Sequence, residues 1–369
     1  MTVTLYYSAI KRADESIASG LPRIASLMLR ALRQTGRPVI APTLPTAYDP
    51  YGDPQTQAHL RDQAEKAADA LITELRANAI RPDAVVTYHS YYKSPDWIGP
   101  KLKAVFGCRY LVLEPSYAAK REHGPWALNY HGNLRALQSA DYLCAATLRD
   151  RQGLQPIAPL EKIIDFPPFI DVAPFAQVAR KREAGGPVAI CTAGMMRDER
   201  KAESYARLAA ALAGIEASHY TLTIAGDGPL RPQVERCFAD LKESGAAITF
   251  LGTVPPHRMP DLFAASDLFA WPGVGEAYGL VYLEAQAAGL PVIAEAHKGV
   301  PSVVEHTVSG LLYDPDDPAE FAKGLQRLIE NNAERHALGR SAQAWVTAHR
   351  DIGAAARRLE SLLSAGPRP

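Results

Sequence analysis

Apolar residues follow two alternating rhythms along this chain. Short continuous runs, VTLYY (3–7), AVVTYH (84–89), YLVLEP (110–115) and YLCAA (142–146), have the length and composition of strands buried on both faces. Between them, apolar positions recur at helical spacing, as with Ile24, Leu27, Met28, Ala31 and Leu32 in 20–34, which Gly36 closes. PVIAPT reads as a second strand, 45–56 as a polar, proline-rich loop, 57–79 as a long Ala-rich helix closed at Pro82, and 128–139 as a further helix. Strand and helix in alternation predict a parallel sheet with helices on both faces.

The rhythm breaks at PLEKIIDFPPFIDVAPF, whose paired prolines mark a stiff boundary. PVAICTAG (187–194) then opens a second set of the same units. A helix over 201–213 leads to the strand and turn YTLTIAGDGP (220–229), a helix over 230–243, the strand ITFLGTV and a short helix in MPDLFAASD. LFAW (268–271) is a further strand, and 317–331 and 336–363 read as helices with polar outer faces. The pattern predicts two similar α/β domains, 1–170 and 171–340, with 341–369 a terminal helix expected to return to the first. At 369 residues two cores are the default, since one core rarely grows past about 250–300 residues. No short period recurs, which argues against a solenoid.

Composition narrows the partners. Lys plus Arg is 40 and Asp plus Glu is 40, so no net field gathers nucleic acid or an anionic membrane. No stretch reaches 18 apolar residues, so no transmembrane segment is expected, and the N-terminus does not read as a signal peptide. Cys108, Cys144, Cys191 and Cys237 lie far apart without a CxxC, which fits a reducing cytoplasm. There is no HExxH and no Asp-x-Asp at a strand end; Asp314, Asp316 and Asp317 read as surface caps. Nothing in the pattern requires a metal, and no cofactor is expected.

The candidate chemistry lies in WPGVGEAYGLVYLEAQAAGLPVIA (271–294), a glycine-rich turn set before an apolar helix and a buried strand. A helix start leaves its first N–H groups unpaired and carries partial positive charge, so a phosphate suits it. Gly275, Glu276, Ala277, Tyr278 and Gly279 form the approach, and Gly279 admits the backbone close to a ligand or simply tightens the turn. Leu280, Val281 and Leu283 anchor the helix. Glu276 and Glu284 bracket the turn and the first helical residues; carboxylates accept strongly from sugar hydroxyls. Their plain alternatives are helix-start stabilisation for Glu276 and a structural partner for Glu284. Arg197, Arg200 and Lys201 stand between a strand end and a helix start, where cations oppose the helix dipole and a diphosphate would offset them. GDGP (226–229), with Gly226, lies at another strand's carboxyl end, where ligands of open sheets collect.

These residues carry a family resemblance. The E-x7-E spacing of EAYGLVYLE with AQAAGLPVIA behind it resembles the retaining GT-B glycosyltransferases of family 4 (glycosyl transferases group 1). LTIAGDGP, ITFLGTV, MPDLFAASDLFAWPG and GVPSVVEHTVSGLLYDPDDPAEFA are similar to the same family in order and spacing, so the resemblance covers most of the chain. It implies two Rossmann-like parallel-sheet domains facing across a cleft, the C-terminal one holding a nucleotide-sugar donor and the N-terminal one shaping the acceptor site. It implies that Glu276 contacts the transferred sugar, that the backbone at Ala277, Tyr278, Gly279 and Leu280 approaches sugar and phosphates, that Glu284 holds the ribose and that Lys201 meets the diphosphate. Gly20 matches an N-terminal glycine loop. Three departures stand out. Gly194 is followed by Met195 where the family often has Arg, with Arg197 further on. Ser19–Gly20 replaces a glycine pair. Glu114, followed by Lys120 and Arg121, lies near the place where many members carry histidine, and His89 ends an earlier strand.

The expected activity is transfer of a sugar from a nucleoside diphosphate sugar to a hydroxyl acceptor. Retention comes from the resemblance. No second carboxylate is placed as a nucleophile, which favours a front-face route over double displacement. The competing expectations are a nucleotide-sugar epimerase or sugar phosphorylase on the same architecture, or a non-catalytic sugar-nucleotide-binding or scaffold protein. The base, the sugar and the acceptor are not legible; peripheral membrane contact and homo-oligomerisation stay open.

Overall fold

Six parallel strands order the first half of the chain as β2-β1-β3-β4-β5-β6 in a computed structural model that describes residues 3–10, 20–178 and 185–364. The elements run β1 (Val3–Ser8), α1 (Gly20–Gln34), β2 (Val39–Ile40), α2 (Pro54–Ala77), β3 (Pro82–Tyr88), α3 (Gly99–Phe106), β4 (Arg109–Leu113), α4 (Ala127–Ser139), β5 (Tyr142–Ala145), α5 (Leu148–Leu154) and β6 (Ile163–Asp165). Leu5, Val85, Val86, Leu111, Val112 and Leu113 are each 0% exposed, which is why these strands read as unbroken apolar runs. Ser19, from the expected glycine loop, lies outside the described residues, as do 1–2, 11–12 and 365–369 of the expected N- and C-terminal segments. Gly20 is the first residue of α1 rather than part of a preceding loop.

One buried carboxylate ties the sheet to the loop after β3. Asp96 accepts from the Tyr7, Thr87 and Tyr110 hydroxyls (2.8, 2.6 and 2.6 Å) and from the Ile98 and Gly99 amides (2.9 Å each). A buried charge persists only when hydrogen-bonded in this way.

The second sheet is again parallel, in the order β12-β11-β10-β7-β8-β9. Its unit contains α6 (Ala173–Ala176), β7 (Val188–Ala193), α7 (Glu199–Leu212), β8 (Tyr220–Ala225), α8 (Arg231–Cys237), α9 (Ala239–Glu243), β9 (Ala247–Gly252), α10 (Met259–Ala264), β10 (Leu268–Ala270), α11 (Leu280–Ala287), β11 (Val292–Glu295), β12 (Gly310–Tyr313), α12 (Pro318–Glu330) and α13 (Asn332–His349). The helix expected over 230–243 divides at Phe238 into α8 and α9. The helix expected over 336–363 divides at Arg350 and Asp351, after which α14 (Ile352–Ser364) follows.

Chain contacts divide the molecule into Met1–Pro167 with Ile352–Pro369, and Pro168–Asp351. Within the first unit α14 packs on α1 and buries Ile352, Ala355, Ala356, Leu359, Leu362 and Leu363. Arg37 donates from Nε to Glu360 (2.7 Å) and from Nη1 to Asp83 (2.7 Å). Arg109 donates to the Leu362 and Leu363 carbonyls (2.7 and 2.8 Å), capping the helix end where cations are favoured. Among the described residues no helix is long and apolar enough to cross a membrane.

Candidate active site

Close backbone approach brings the carboxyl ends of the second sheet's strands together. Gly194, after β7, donates to Ala225 O (3.0 Å), and Gly226, after β8, donates to Gly252 O (2.8 Å). Gly226 has φ 147°, and a Cβ there would sit 1.9 Å from Gly194 O. The GDGP turn is therefore a fitted part of this edge, and only glycine fits it. Tyr205, on α7, donates to Gly194 O at 2.6 Å and packs edge-on against Trp271 with ring centroids 4.7 Å apart. Burial, then the nearby Glu276 carboxylate, pushes the Tyr205 hydroxyl's pKa up, so it stays a donor.

The turn after β10 follows the path its glycines permit. Gly273, Gly275 and Gly279 have φ of 82°, 74° and 80°. A Cβ on Gly273 would meet the Tyr282 hydroxyl, and one on Gly275 would meet the Arg200 stem. Tyr282 donates to Trp271 O (3.0 Å), and the Val274 amide donates to Ser204 Oγ (2.8 Å). Gly279 is the last residue before α11, so the Leu280 and Val281 amides belong to an opening turn that a helix cannot pair internally.

Lys201 and Glu276 meet here. Asp198 caps α7 through the Lys201 amide (3.1 Å), while the Lys201 ammonium forms an ion pair with Glu276 Oε1. The same carboxylate oxygen accepts from Trp271 Nε1 at 3.2 Å, and the ammonium lies 5.6 Å from the centre of the Trp271 ring. The Lys201 and Glu276 side chains are 19% and 16% exposed, within reach of solvent yet substantially desolvated. Arg197 and Arg200 are exposed, with the Arg200 stem against Gly275, while Ala277 is exposed and Tyr278 is buried. Glu284 lies in the second turn of α11 and is 2% exposed. Asp317 caps α12 through the Glu320 amide, and Asp314 accepts from the Asp316 amide.

Sequence reasoning passed over several supports. Trp271, Tyr205, Ser204 and Tyr282 hold the pair and its turn. Glu295, 0% exposed at the end of β11, accepts from Arg207 Nη1 (2.9 Å), and His297 Nε2 lies 2.8 Å from the same carboxylate oxygen. The Glu295 amide donates to Pro272 O (3.1 Å), which ties β11 to the same turn. A charge closing the apolar run VIAE was the available signal for Glu295.

In the first unit, His89 and Glu114 end neighbouring strands. Both are non-glycine residues with positive φ, 62° and 49°. His89 Nδ1 lies 3.8 Å from Glu114 Oε2, and Tyr88 donates to that oxygen at 3.2 Å. Lys120 is exposed in a short turn.

Residues 178–345 match the family described as glycosyl transferases group 1. The matched stretch lies within the second unit. The glycosyl transferase match contains all of the turn and cation constellation described above. The chain is 33% identical over 239 residues to a D-inositol 3-phosphate glycosyltransferase of Salinispora tropica, covering 58% of this chain and 48% of that protein. It is 37% identical over 120 residues to the protein of the same name in Corynebacterium kroppenstedtii, covering 32% and 26%. The chain thus spans between about a quarter and a half of these relatives' length. Its architecture is GT-B-like, with two parallel-sheet Rossmann-like units. Similar solved structures are the sucrose-phosphate synthase of Thermosynechococcus elongatus (TM-score 0.70, 22% identity, 98% of each chain) and an Anabaena protein, Alr3699/HepE, in complex with UDP (0.67, 16%, 99% and 100%).

Proposed function

We propose that this protein is a retaining glycosyltransferase that moves a sugar from a nucleoside diphosphate sugar to a hydroxyl acceptor. The observation that carries this reading is the convergence of Lys201, Glu276 and Trp271 on a glycine turn that opens α11. That arrangement offers a cation, a hydroxyl-binding carboxylate and helix-start amides at one edge of the sheet. The solved relative from Anabaena in complex with UDP-glucose supports a uridine donor.

In this reading Lys201, with Arg197, takes the diphosphate, and the Gly279, Leu280 and Val281 backbone approaches it. Glu276 accepts from hydroxyls of the transferred sugar, and Glu284 holds the ribose. Gly194, Gly226, Ala277 and Tyr278 shape the donor pocket. The first unit, with His89, Glu114 and Lys120, is assigned to the acceptor, and no metal is invoked. The acceptor oxygen bonds to the anomeric carbon as the carbon–phosphate-oxygen bond breaks. Its electron pair leaves with the diphosphate, and the acceptor proton moves to the leaving diphosphate. Cations at the diphosphate stabilise that developing charge.

Four cysteines without a disulfide fit a cytoplasmic setting. The deciding experiment incubates the protein with UDP-sugars and an acceptor panel. Free UDP and a glycosylated product that appear only with an acceptor support transfer. An isomerised donor without UDP release, or donor binding with no turnover on any acceptor, sinks it.

A further inference from the structure

The loops of the first unit gather tyrosines that no donor role uses. Tyr91 and Tyr92 follow β3, half-buried, while Tyr48 and Tyr51 lie before α2, 38% and 89% exposed. The rings run edge to edge from the end of β3. Centroids are 5.0 Å apart for His89 and Tyr91, 5.6 Å for Tyr91 and Tyr92, and 5.2 Å for Tyr92 and the buried Trp126. Burial, then the Tyr48 and Tyr92 phenols, raises the pKa of Tyr91, and the residue after Tyr48, Asp49, is hydrogen-bonded to the Tyr91–Tyr92 loop at Lys93 O. Arg121 lies over Tyr92 at 5.0 Å and Lys93 over Trp126 at 5.3 Å, so both cations are engaged on rings.

The turn that displays Tyr51 is rigid. Asp49, 1% exposed, accepts from the amides of Tyr51 (2.8 Å), Gly52 (3.1 Å) and Asp53 (2.9 Å) and from Gln57 Nε2 (2.9 Å). The Asp49 amide donates to Lys93 O at 2.9 Å, which joins this turn to the Tyr91–Tyr92 loop. Gly52, with φ 81°, lies against the Trp126 indole, and a Cβ there would come within 2.9 Å of it. A scaffold locked at so many points leaves Tyr51 almost wholly in water, where its ring adds nothing to the core.

The other end of the run carries polar chemistry. His89 and Glu114 hold left-handed backbone, a strained conformation for non-glycine residues that clusters at functional sites. The ladder enforces it: the His89 amide donates to Leu113 O (2.8 Å) and the Glu114 amide to Cys144 O (2.9 Å). Both residues stand at the carboxyl edge of a parallel sheet, where ligands bind. His89 Nδ1 is buried and lies 3.8 Å from a Glu114 carboxylate oxygen.

We propose that this surface is a saccharide acceptor subsite, in which Glu114 and His89 hold the acceptor ring and Tyr91, Tyr92, Tyr48 and Tyr51 carry further rings of a neutral glycan. The proposal rests on the transferase reading and names its acceptor class. Aromatic faces take the C–H faces of sugars, while phenols, imidazole and carboxylate take hydroxyls. A carboxylate at the head of the run repels a phosphorylated acceptor, and two of the neighbouring cations, Lys93 and Arg121, sit on rings.

The test uses the full chain with UDP present and two probe sets. One is a gluco-oligosaccharide series from glucose to the hexasaccharide; the other is glucose 6-phosphate and glycerol 3-phosphate. Saturation-transfer NMR is expected to show neutral sugars binding more tightly as the chain lengthens. The double variant Tyr48→Ala/Tyr51→Ala is expected to weaken the hexasaccharide roughly tenfold more than glucose, with UDP affinity unchanged by calorimetry. No binding by the neutral sugars, preference for the phosphorylated probes, or equal loss at every length overturns the subsite. Length-dependent glycan binding without any UDP-sugar turnover retains the subsite and fails the transferase reading. Turnover on a neutral glycan that the double variant leaves unchanged does the opposite.

Discussion

Lys201 and Glu276 form one ion pair that, under the proposed transfer, would serve folding and a ligand in turn. Each neutralises the other in the unliganded chain, and a diphosphate and a sugar hydroxyl would divide the pair between them. Lys201→Ala is expected to lower kcat by about 10²–10³, with a circular dichroism spectrum like that of the wild type; unchanged turnover would remove Lys201 from the site. Gly226 is constrained differently. A methyl group 1.9 Å from Gly194 O cannot be accommodated without moving a strand end, so Gly226→Ala is expected to cost the second unit more than about 3 kcal/mol in urea unfolding. Glu295 is a third case. Truncating it leaves Arg207 and His297 without their buried carboxylate, and Glu295→Ala is expected to cost about 3 kcal/mol, read as a lowered urea midpoint.

Among the elements, α7 organises the second unit's site. Lys201 reaches Glu276, Ser204 receives the Val274 amide, the Arg200 stem lies on Gly275 and Arg207 bonds Glu295, so one helix grips the turn at several heights. In the first unit, α14 depends on a titratable clasp. The hydrogen bond from Arg37, outweighing desolvation, holds the Glu360 carboxyl below its ordinary 4.5. A depressed carboxyl contributes stability above that ordinary value and loses it as pH falls through the lower folded value. Amide exchange in α14 is therefore expected to accelerate as pH drops below about 4.5 relative to the rest of the unit, beyond the intrinsic pH effect, and Arg37→Ala should abolish that difference. Much of this scale was legible in the sequence. Strands such as 84–89 and 110–115 stood out because burial on both faces leaves no polar alternation. The division at Arg350 and Asp351 was not legible, because no proline marks it, Gly353 falls inside the following helix and the apolar spacing continues on both sides. Trp271 reads as a core residue closing a strand whether or not it faces a ligand. Glu295 finds Arg207 across 88 residues, and no local pattern encodes such a partner.

For the whole molecule, the two-unit division predicts separable responses. A ligand that binds only the folded second unit stabilises it by about 2.7 kcal/mol at a hundredfold excess over Kd. UDP is therefore expected to slow amide exchange in the strands of the second sheet while leaving α1 and α14 unaffected; protection of α1 and α14 alone would place the nucleotide elsewhere. The path of the backbone has a further consequence. Residues of the second unit are contiguous, whereas the first unit takes its closing helix from Ile352 onward. During translation the second unit can therefore reach its full complement of residues while the first, though begun earlier, still lacks the partner for α1. A nonsense codon or a protease cut near Asp351 would thus injure the part of the molecule whose genetic instructions come first.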